Sequence, residues 1–265
     1  MDIKDLGGLG AYAPIFEELY KDMAQPAARN IGLALGAITS IGLFLHLLSS
    51  WSTDRLNICL KKNLDEYAER MKDVPPEDVS EVPPEIGVPI IEKLSYVTNE
   101  ELRKLYIELL AKASIKEEND KAHPNFINII NSLSPDEANL LSYFKKRRQI
   151  SPNKYIRSTV KKSEFFHIFL SNEEDFINLQ FPDNLSSYLE NFEGLGIIYM
   201  NDSNSAQVKM FEDIENKINR EIVRSKTSIQ PISLLSHISL NQQRQSMYVT
   251  NYGKLFLDAV IESNK

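Results

Sequence analysis

The fold of this chain depends mainly on residues 84–141, with the sequence PEIGVPIIEKLSYVTNEELRKLYIELLAKASIKEENDKAHPNFINIINSLSPDEANLL. It predicts a series of short helices, each opened by a strong cap. Thr98 and Glu101 have the spacing of a capping box, in which each side chain satisfies a backbone N–H of the first turn. Ser134 and Glu137 repeat that spacing, and a proline takes the first helical position, where no N–H is needed. The stretch therefore predicts a helical core.

Apolar residues in this stretch recur with the 3.6-residue period of a helix, which predicts faces that pack against other helices. Behind the first cap the face consists of Leu102, Leu105, Tyr106, Leu109, Leu110 and Ala113. Behind the dipeptide His123-Pro124, which opens a further helix, the face consists of Phe126, Ile127, Ile129, Ile130 and Leu133. We expect both faces in the core.

The same stretch resembles the hallmark block of the bacterial abortive-infection alpha (Abi-alpha) family. The block has an aromatic residue, a helix that ends in small residues, a charged loop, His-Pro-x-Phe and Leu-Ser-Pro-x-Glu-Ala. The matching residues of this family motif are Tyr106, His123, Pro124, Phe126, Ser134, Pro135 and Glu137. With the upstream Pro-rich segment and a C-terminal Thr-x-x-Gly, the resemblance covers most of the chain. It implies a role in phage resistance and brings no shared chemistry with it.

Composition indicates a globular intracellular protein. The 265 residues fit one large domain or two of ordinary size, and an apolar content of 42% allows a sizeable core. The single cysteine, Cys59, excludes a disulfide within the chain and fits a reducing compartment. A net charge of −7 argues against a general nucleic-acid binder. We expect a cytoplasmic location, with the inner-membrane periphery as the second candidate.

The predicted fold class is mainly α, with a multi-helix N-terminal and central domain followed by a winged-helix-like α+β C-terminal domain that contains a small β-hairpin. The expected regions are N-terminal helices over 1–72, a Pro- and acid-rich joint over 73–89, the central family block over 90–141, and the winged-helix-like domain over 142–265 with an insertion at 201–246. Five prolines favour an extended conformation for the joint.

The winged-helix-like prediction depends on a helix, two strands and a cap. The helix face consists of Leu185, Tyr188, Leu189 and Phe192. The β-branched run GLGIIYM predicts the first strand, residues 247–249 predict the returning strand, and Thr250 predicts an N-cap. The final helix is expected to bury Tyr252, Leu255, Phe256, Ala259 and Val260. The insertion departs from the winged-helix pattern and carries a further predicted helix with Phe211, Ile214, Ile218 and Ile222.

The run IGLALGAITSIGLFLHLL, residues 31–48, predicts an apolar helix of 18 residues without a formal charge. That length is where a membrane span has to be considered. A G-x-x-x-G spacing allows close approach of a second helix, and a tryptophan follows where an interfacial aromatic would lie. Three interpretations remain open: a core or oligomer-interface helix, a constitutive membrane span, and conditional insertion. The candidate residues are Gly32, Gly36, Gly42, Leu45 and Trp51.

A basic segment follows the central block, with no acidic residue between Glu137 and Glu164. Its eight cations are Lys145, Lys146, Arg147, Arg148, Lys154, Arg157, Lys161 and Lys162. One interpretation is a solvated loop whose first cations complement a helix C-terminus. The other is contact with phosphate, of nucleic acid or of anionic lipid.

No catalytic, metal or cofactor site is predicted. The four histidines are far apart and next to no ligand-spaced cysteine or carboxylate pair. The sequence contains no P-loop, no G-x-S-x-G and no H-E-x-x-H motif. We therefore expect a protein without enzymatic activity and without a cofactor.

The predicted function is an antiphage effector or interaction protein that acts through helix-mediated oligomerisation or membrane association. The alternative is a winged-helix DNA-binding regulator that uses the basic loop 145–162, and a cytosolic enzyme with an unrecognised site is third. We expect a homo-oligomer. A phage protein is the candidate trigger, an anionic membrane is a candidate partner, and nucleic acid is less favoured.

Overall fold

A computed structural model of the protein describes residues 25–36, 54–147, 153–160, 166–170, 179–181, 184–202 and 240–262. Within these ranges lie eight α-helices, α1 Gln25–Ala34, α2 Asp54–Met71, α3 Pro84–Leu94, α4 Glu100–Ala113, α5 Asn125–Asn131, α6 Pro135–Arg147, α7 Leu185–Gly194 and α8 Asn251–Val260. The four strands are β1 Asn153–Val160, β2 Phe166–Leu170, β3 Ile198–Asp202 and β4 Leu240–Val249. The prediction of a mainly helical protein with a small antiparallel sheet is confirmed.

The chain divides into two compact units, residues 1–138 with 255–265, and residues 139–254. In the first unit α2 packs against α1, α3 and α4. Its inner face buries Leu60, Leu64, Tyr67, Ala68 and Met71. The apolar face predicted for α4 is confirmed from Leu105 to Ala113, whereas Leu102 is only half-buried.

One predicted capping box is confirmed and the other is wrong. At α6 the Ser134 N–H donates to Glu137 Oε2 at 2.6 Å, and the Glu137 N–H donates to Ser134 Oγ at 3.3 Å. At α4 the N-cap is Asn99, whose Oδ1 accepts from the Leu102 N–H at 3.0 Å, while Thr98 is exposed. Both residue types can cap a helix, so a local pattern did not distinguish the two adjacent candidates.

The helix opened by His123-Pro124 is confirmed. The Asn125 N–H donates to Nδ1 of the exposed His123 at 3.1 Å, which satisfies one free donor of the first turn. The predicted face of α5 is buried, and the Phe126 ring meets the Phe256 ring edge-on at 5.2 Å between centroids. This short helix therefore contributes to the core of the first unit.

The extended conformation expected for residues 73–89 is wrong for their second half, because α3 begins at Pro84. Pro84 takes the first helical position without loss, and Pro89 removes only one hydrogen bond inside the helix. The first half is fixed along the end of α4: the Ser80 N–H donates to Ser114 O at 2.8 Å, and the Lys116 N–H donates to Asp78 O at 2.9 Å. Val82 is completely buried.

The helix predicted from residue 31 begins earlier than expected. Helix α1 starts at Gln25, and Pro26 lies in its first turn, where proline is tolerated. The helix ends at Ala34, whose carbonyl accepts from the Val82 N–H at 2.9 Å. Residues 37–50 lie outside the described part of the chain.

In the second unit the four strands form one antiparallel sheet in the order β2-β1-β4-β3. The predicted strand pair is confirmed, with Ile198 opposite Val249 and Tyr199 opposite Tyr248. Because β3 ends at Asp202 and β4 starts at Leu240, the insertion comprises residues 203–239 rather than 201–246. The helix predicted within the insertion lies outside the described residues.

Strands β1 and β2 were not predicted, and β1 corrects the expectation that residues 145–162 form a loop. Residues 145–147 complete α6, and residues 153–160 form β1. The segment NKYIRSTV is rich in β-branched and aromatic residues that favour a strand. Our prediction gave weight to its cations and overlooked this strand propensity.

The turn between α7 and β3 contains Gly196 at φ +73°, a left-handed conformation that other residues adopt only with strain. The predicted inner face of α7 is buried, and the Phe192 ring meets the Phe144 ring edge-on at 5.3 Å. In α8 the predicted face is partly wrong. Leu255 is 38% exposed and Leu257 is buried in its place.

Candidate interaction surfaces

Helix α1 holds the start of the apolar segment against α2. Asn30 Nδ2 donates to Met71 O at 3.0 Å and to Val74 O at 2.8 Å, so the amide fixes α1 to the end of α2. Ile31, Ala34 and Leu35 are buried on the same side. The other side carries Gly32, which is exposed, and Leu33, which is 46% exposed.

The two glycines of the G-x-x-x-G have different surroundings. Gly32 is exposed, whereas Gly36 is half-buried, and a Cβ at position 36 would lie 3.2 Å from Glu81 Oε1. The remaining candidate residues of the apolar segment, Gly42, Leu45 and Trp51, lie outside the described residues. Among the helices that the structure does describe, none combines the length and apolarity needed to cross a membrane.

The basic residues are distributed over two elements. Lys145, Lys146 and Arg147 form the last turn of α6, where cations complement the negative end of the helix dipole. Lys154 and Arg157 lie in β1, in register with Ser246 and Gln243 of β4. The other cations, Arg148, Lys161 and Lys162, lie outside the described ranges. Phosphate contact by this set stays a prediction.

The family motif residues join and cap helices. The Tyr106 hydroxyl donates to Asn131 Oδ1 at 2.6 Å and links α4 to the end of α5. Burial raises the pKa of Tyr106 well above its usual value, so the hydroxyl stays a donor. The His123 ring lies 5.5 Å from the Phe126 ring at the start of α5. Together with the capping box of α6, these contacts show what the hallmark residues do in the fold.

A buried cluster of charges between α2 and α4 was not predicted from the sequence. Arg70 binds both oxygens of Glu108, at 2.7 and 3.1 Å, and Lys112 Nζ lies 3.5 Å from Glu108 Oε1 and contacts Glu118. The hydrogen bond to Glu108 raises the pKa of the Arg70 guanidinium. Burial is the largest single influence and would raise the pKa of Glu118, but the hydrogen bond to Lys112 and the charges of Lys112, Lys121 and Arg70 together outweigh it and lower that pKa. The i, i+4 spacing of Glu108 and Lys112 inside an apolar run was the available signal.

An open groove of about 520 Å³ runs along the outer face of α2. It is lined by Ile58, Lys61, Lys62, Asp65, Glu66 and Glu69. Ile58 is 68% exposed, and Glu66 binds Arg103 of α4 with Oε2 2.8 Å from Nε. Within the described part of the chain, no group of three or more histidine, cysteine and carboxylate side chains could hold a metal ion.

Comparison with known proteins gives one match. Residues 59–260 fit the model of the Abi_alpha family, described as abortive infection alpha. No curated protein and no solved structure matches the chain. The matched range includes the central helical block, the sheet and all of α8, so the resemblance indicated by the sequence motifs is confirmed. The chain therefore belongs to the abortive infection alpha family, and this membership indicates a role in antiphage defence.

Proposed function

We propose that the protein is a non-enzymatic effector of abortive infection that acts through the apolar segment 31–48. The observation that carries this proposal is the position of α1. Asn30 fixes the helix to α2, while Leu33 is 46% exposed where the 18-residue run without formal charge begins. Helix α1 is therefore fixed to α2 at the start of the apolar segment, which continues beyond the helix in the sequence.

Such a segment requires an apolar partner. Exposed apolar surface costs about 25 cal/mol per Å² in water, so a helix that is apolar on every side is stable only against protein or lipid. Each of the glycines at 32, 36 and 42 weakens an isolated helix by about 1 kcal/mol, a loss that close packing against another helix offsets. We infer that the apolar segment packs against protein while the molecule is in a resting cytoplasmic state. After a phage protein acts as trigger, the segment associates with the anionic inner membrane.

The test is Leu45→Asp, which places a charge in the segment. We expect loss of phage protection, of growth arrest on overexpression, and of dye leakage from anionic vesicles. Leu255→Asp is the matched control, because it makes the same exchange at an exposed leucine outside the segment. Full protection by a stably folded Leu45→Asp protein would exclude a membrane role and leave the segment as core.

A second candidate function is DNA binding by the second unit. It is supported by the antiparallel pair β3–β4, preceded by α7, and by the capping Thr250 that follows β4, an order typical of winged-helix modules. Reversing the charges of residues 145–148 should then abolish salt-sensitive binding to duplex DNA. Absence of DNA binding by the wild type at low salt would exclude this candidate.

A further inference from the structure

The outer face of α2 carries a charge pattern that is complementary to itself. Ile58, Lys62, Asp65 and Glu69 follow each other at steps of 4, 3 and 4 residues, so they lie on one side of the helix. All four are exposed. The cations precede the carboxylates along this face, and the opposite face is fixed in the core by Leu64 and its apolar neighbours.

We propose that this face binds the same face of a second copy, with the two α2 helices antiparallel. A two-fold axis that passes between residues 63 and 64 places Lys62 opposite Asp65 of the second copy, because both lie equally far from the axis. The same operation places Lys61 opposite Glu66 and Ile58 opposite Glu69. A parallel arrangement in register would instead set like charges against each other. In this isologous contact the charged residues that line the groove form four pairs of opposite charge, two between Lys62 and Asp65 and two between Lys61 and Glu66.

The contacts inside one protomer are compatible with this pairing. Glu66 already binds Arg103, and a carboxylate has room for a second donor on its remaining lone pairs. Glu69 pairs with Lys72 one turn further along the same helix. Ile58 gains most from the contact, since the last turn of the partner helix would cover a side chain that is now 68% exposed.

The charge pattern determines the relative orientation of the two α2 helices more than the affinity of the dimer. Exposed ion pairs contribute little individually and are screened by salt, while complementary patterns exclude wrong registers. We therefore expect a weak dimer that dissociates on dilution and at high salt. This contact uses α2 alone and does not depend on the apolar segment 31–48.

The experiment exchanges the two charges nearest the axis, one at a time and together, and measures mass by sedimentation equilibrium at low salt. Lys62→Glu and Asp65→Lys should each weaken dimerisation by about tenfold or more, because like charges then face each other. The double variant should recover it. An equimolar mixture of the two single variants should form a heterodimer, since each supplies the charges that the other now needs. Urea unfolding of each variant checks that the fold is intact.

Two outcomes would overturn the proposal. The first is a wild type that remains monomeric at about 100 μM, where a specific weak dimer should be populated. The second is a dimer that neither single reversal affects; if Leu45→Asp dissociates that dimer, self-association belongs to the apolar segment instead.

Discussion

Gly253→Ala should destabilise the second unit strongly, although alanine is the better helix former. A Cβ at position 253 would lie 2.8 Å from the carbonyl carbon of Ile197 and 3.0 Å from its Cα, and closer still to the carbonyl oxygen. These are backbone atoms, so no side-chain rotation relieves the overlap. Because carbon atoms approach to roughly 3.5 Å, α8 would have to move by about 1 Å from the turn before β3.

That movement affects the hydrogen bonds at the start of α8. The Thr250 N–H donates to Ile197 O at 3.0 Å, the Thr250 hydroxyl donates to Gly196 O at 2.6 Å, and the Gly253 N–H donates to Thr250 Oγ1 at 2.8 Å. Overpacking costs about 1–3 kcal/mol. Loss of one buried hydrogen bond adds about 1 kcal/mol, and the helix propensity of alanine returns at most about 1 kcal/mol. The expected net loss is about 2 kcal/mol.

Urea unfolding followed by circular dichroism measures this loss, and Gly194→Ala supplies the control. A Cβ at position 194 would meet nothing within 4 Å, and the residue ends α7, so that variant should be neutral or slightly more stable. If the two variants unfold within about 0.5 kcal/mol of each other, the close approach of α8 to Ile197 is not what fixes glycine at position 253.

Two further predictions concern the first unit. Leu109→Ala removes a completely buried side chain from α4 and should lower the free energy of unfolding by about 2–5 kcal/mol; a loss below about 1 kcal/mol in urea would contradict its place in the core. The second prediction is that ionisation of Glu118 makes the free energy of unfolding depend on pH in the acidic range. Its folded pKa lies below the ordinary 4.5, so the stabilisation is complete above that value and is lost as the pH falls through the lowered pKa. Glu118→Gln should flatten the stability profile in that acidic window, and an unchanged profile would show that the ion pair with Lys112 adds nothing.

Local features were predictable to different degrees. The periodic faces of α4 and α7 and the box at Ser134 were predicted correctly, because neighbours along the chain determine them. Thr98 was mistaken for the cap that Asn99 supplies, since either residue type fits and the choice depends on where packing sets the first turn. Strand β1 was missed because its cations were given more weight than its β-branched and aromatic residues, although its partner β2 follows only a few residues later; its other partner, β4, lies far away in sequence.

The features of the candidate surfaces were also predictable to different degrees. The apolar run and the clustered cations are visible in the sequence, because composition alone marks them. The pairing of Arg70 with Glu108 joins residues 38 positions apart; the i, i+4 spacing of Glu108 and Lys112 indicates a charged pair on α4 but does not indicate its partner on α2. The groove on α2 became apparent only once the fold had shown which side of that amphipathic helix faces outward.

The hydrogen bond from the Val82 N–H to Ala34 O makes the release that we propose for the apolar segment measurable. Residues 83 and 84 are prolines and have no N–H, so among residues 82–84 this one amide alone can donate to the end of α1. Local opening that frees α1 must therefore expose this proton to solvent. Hydrogen exchange at Val82 would report the free energy of that opening directly, and faster exchange in the presence of a trigger would reveal activation before any downstream effect.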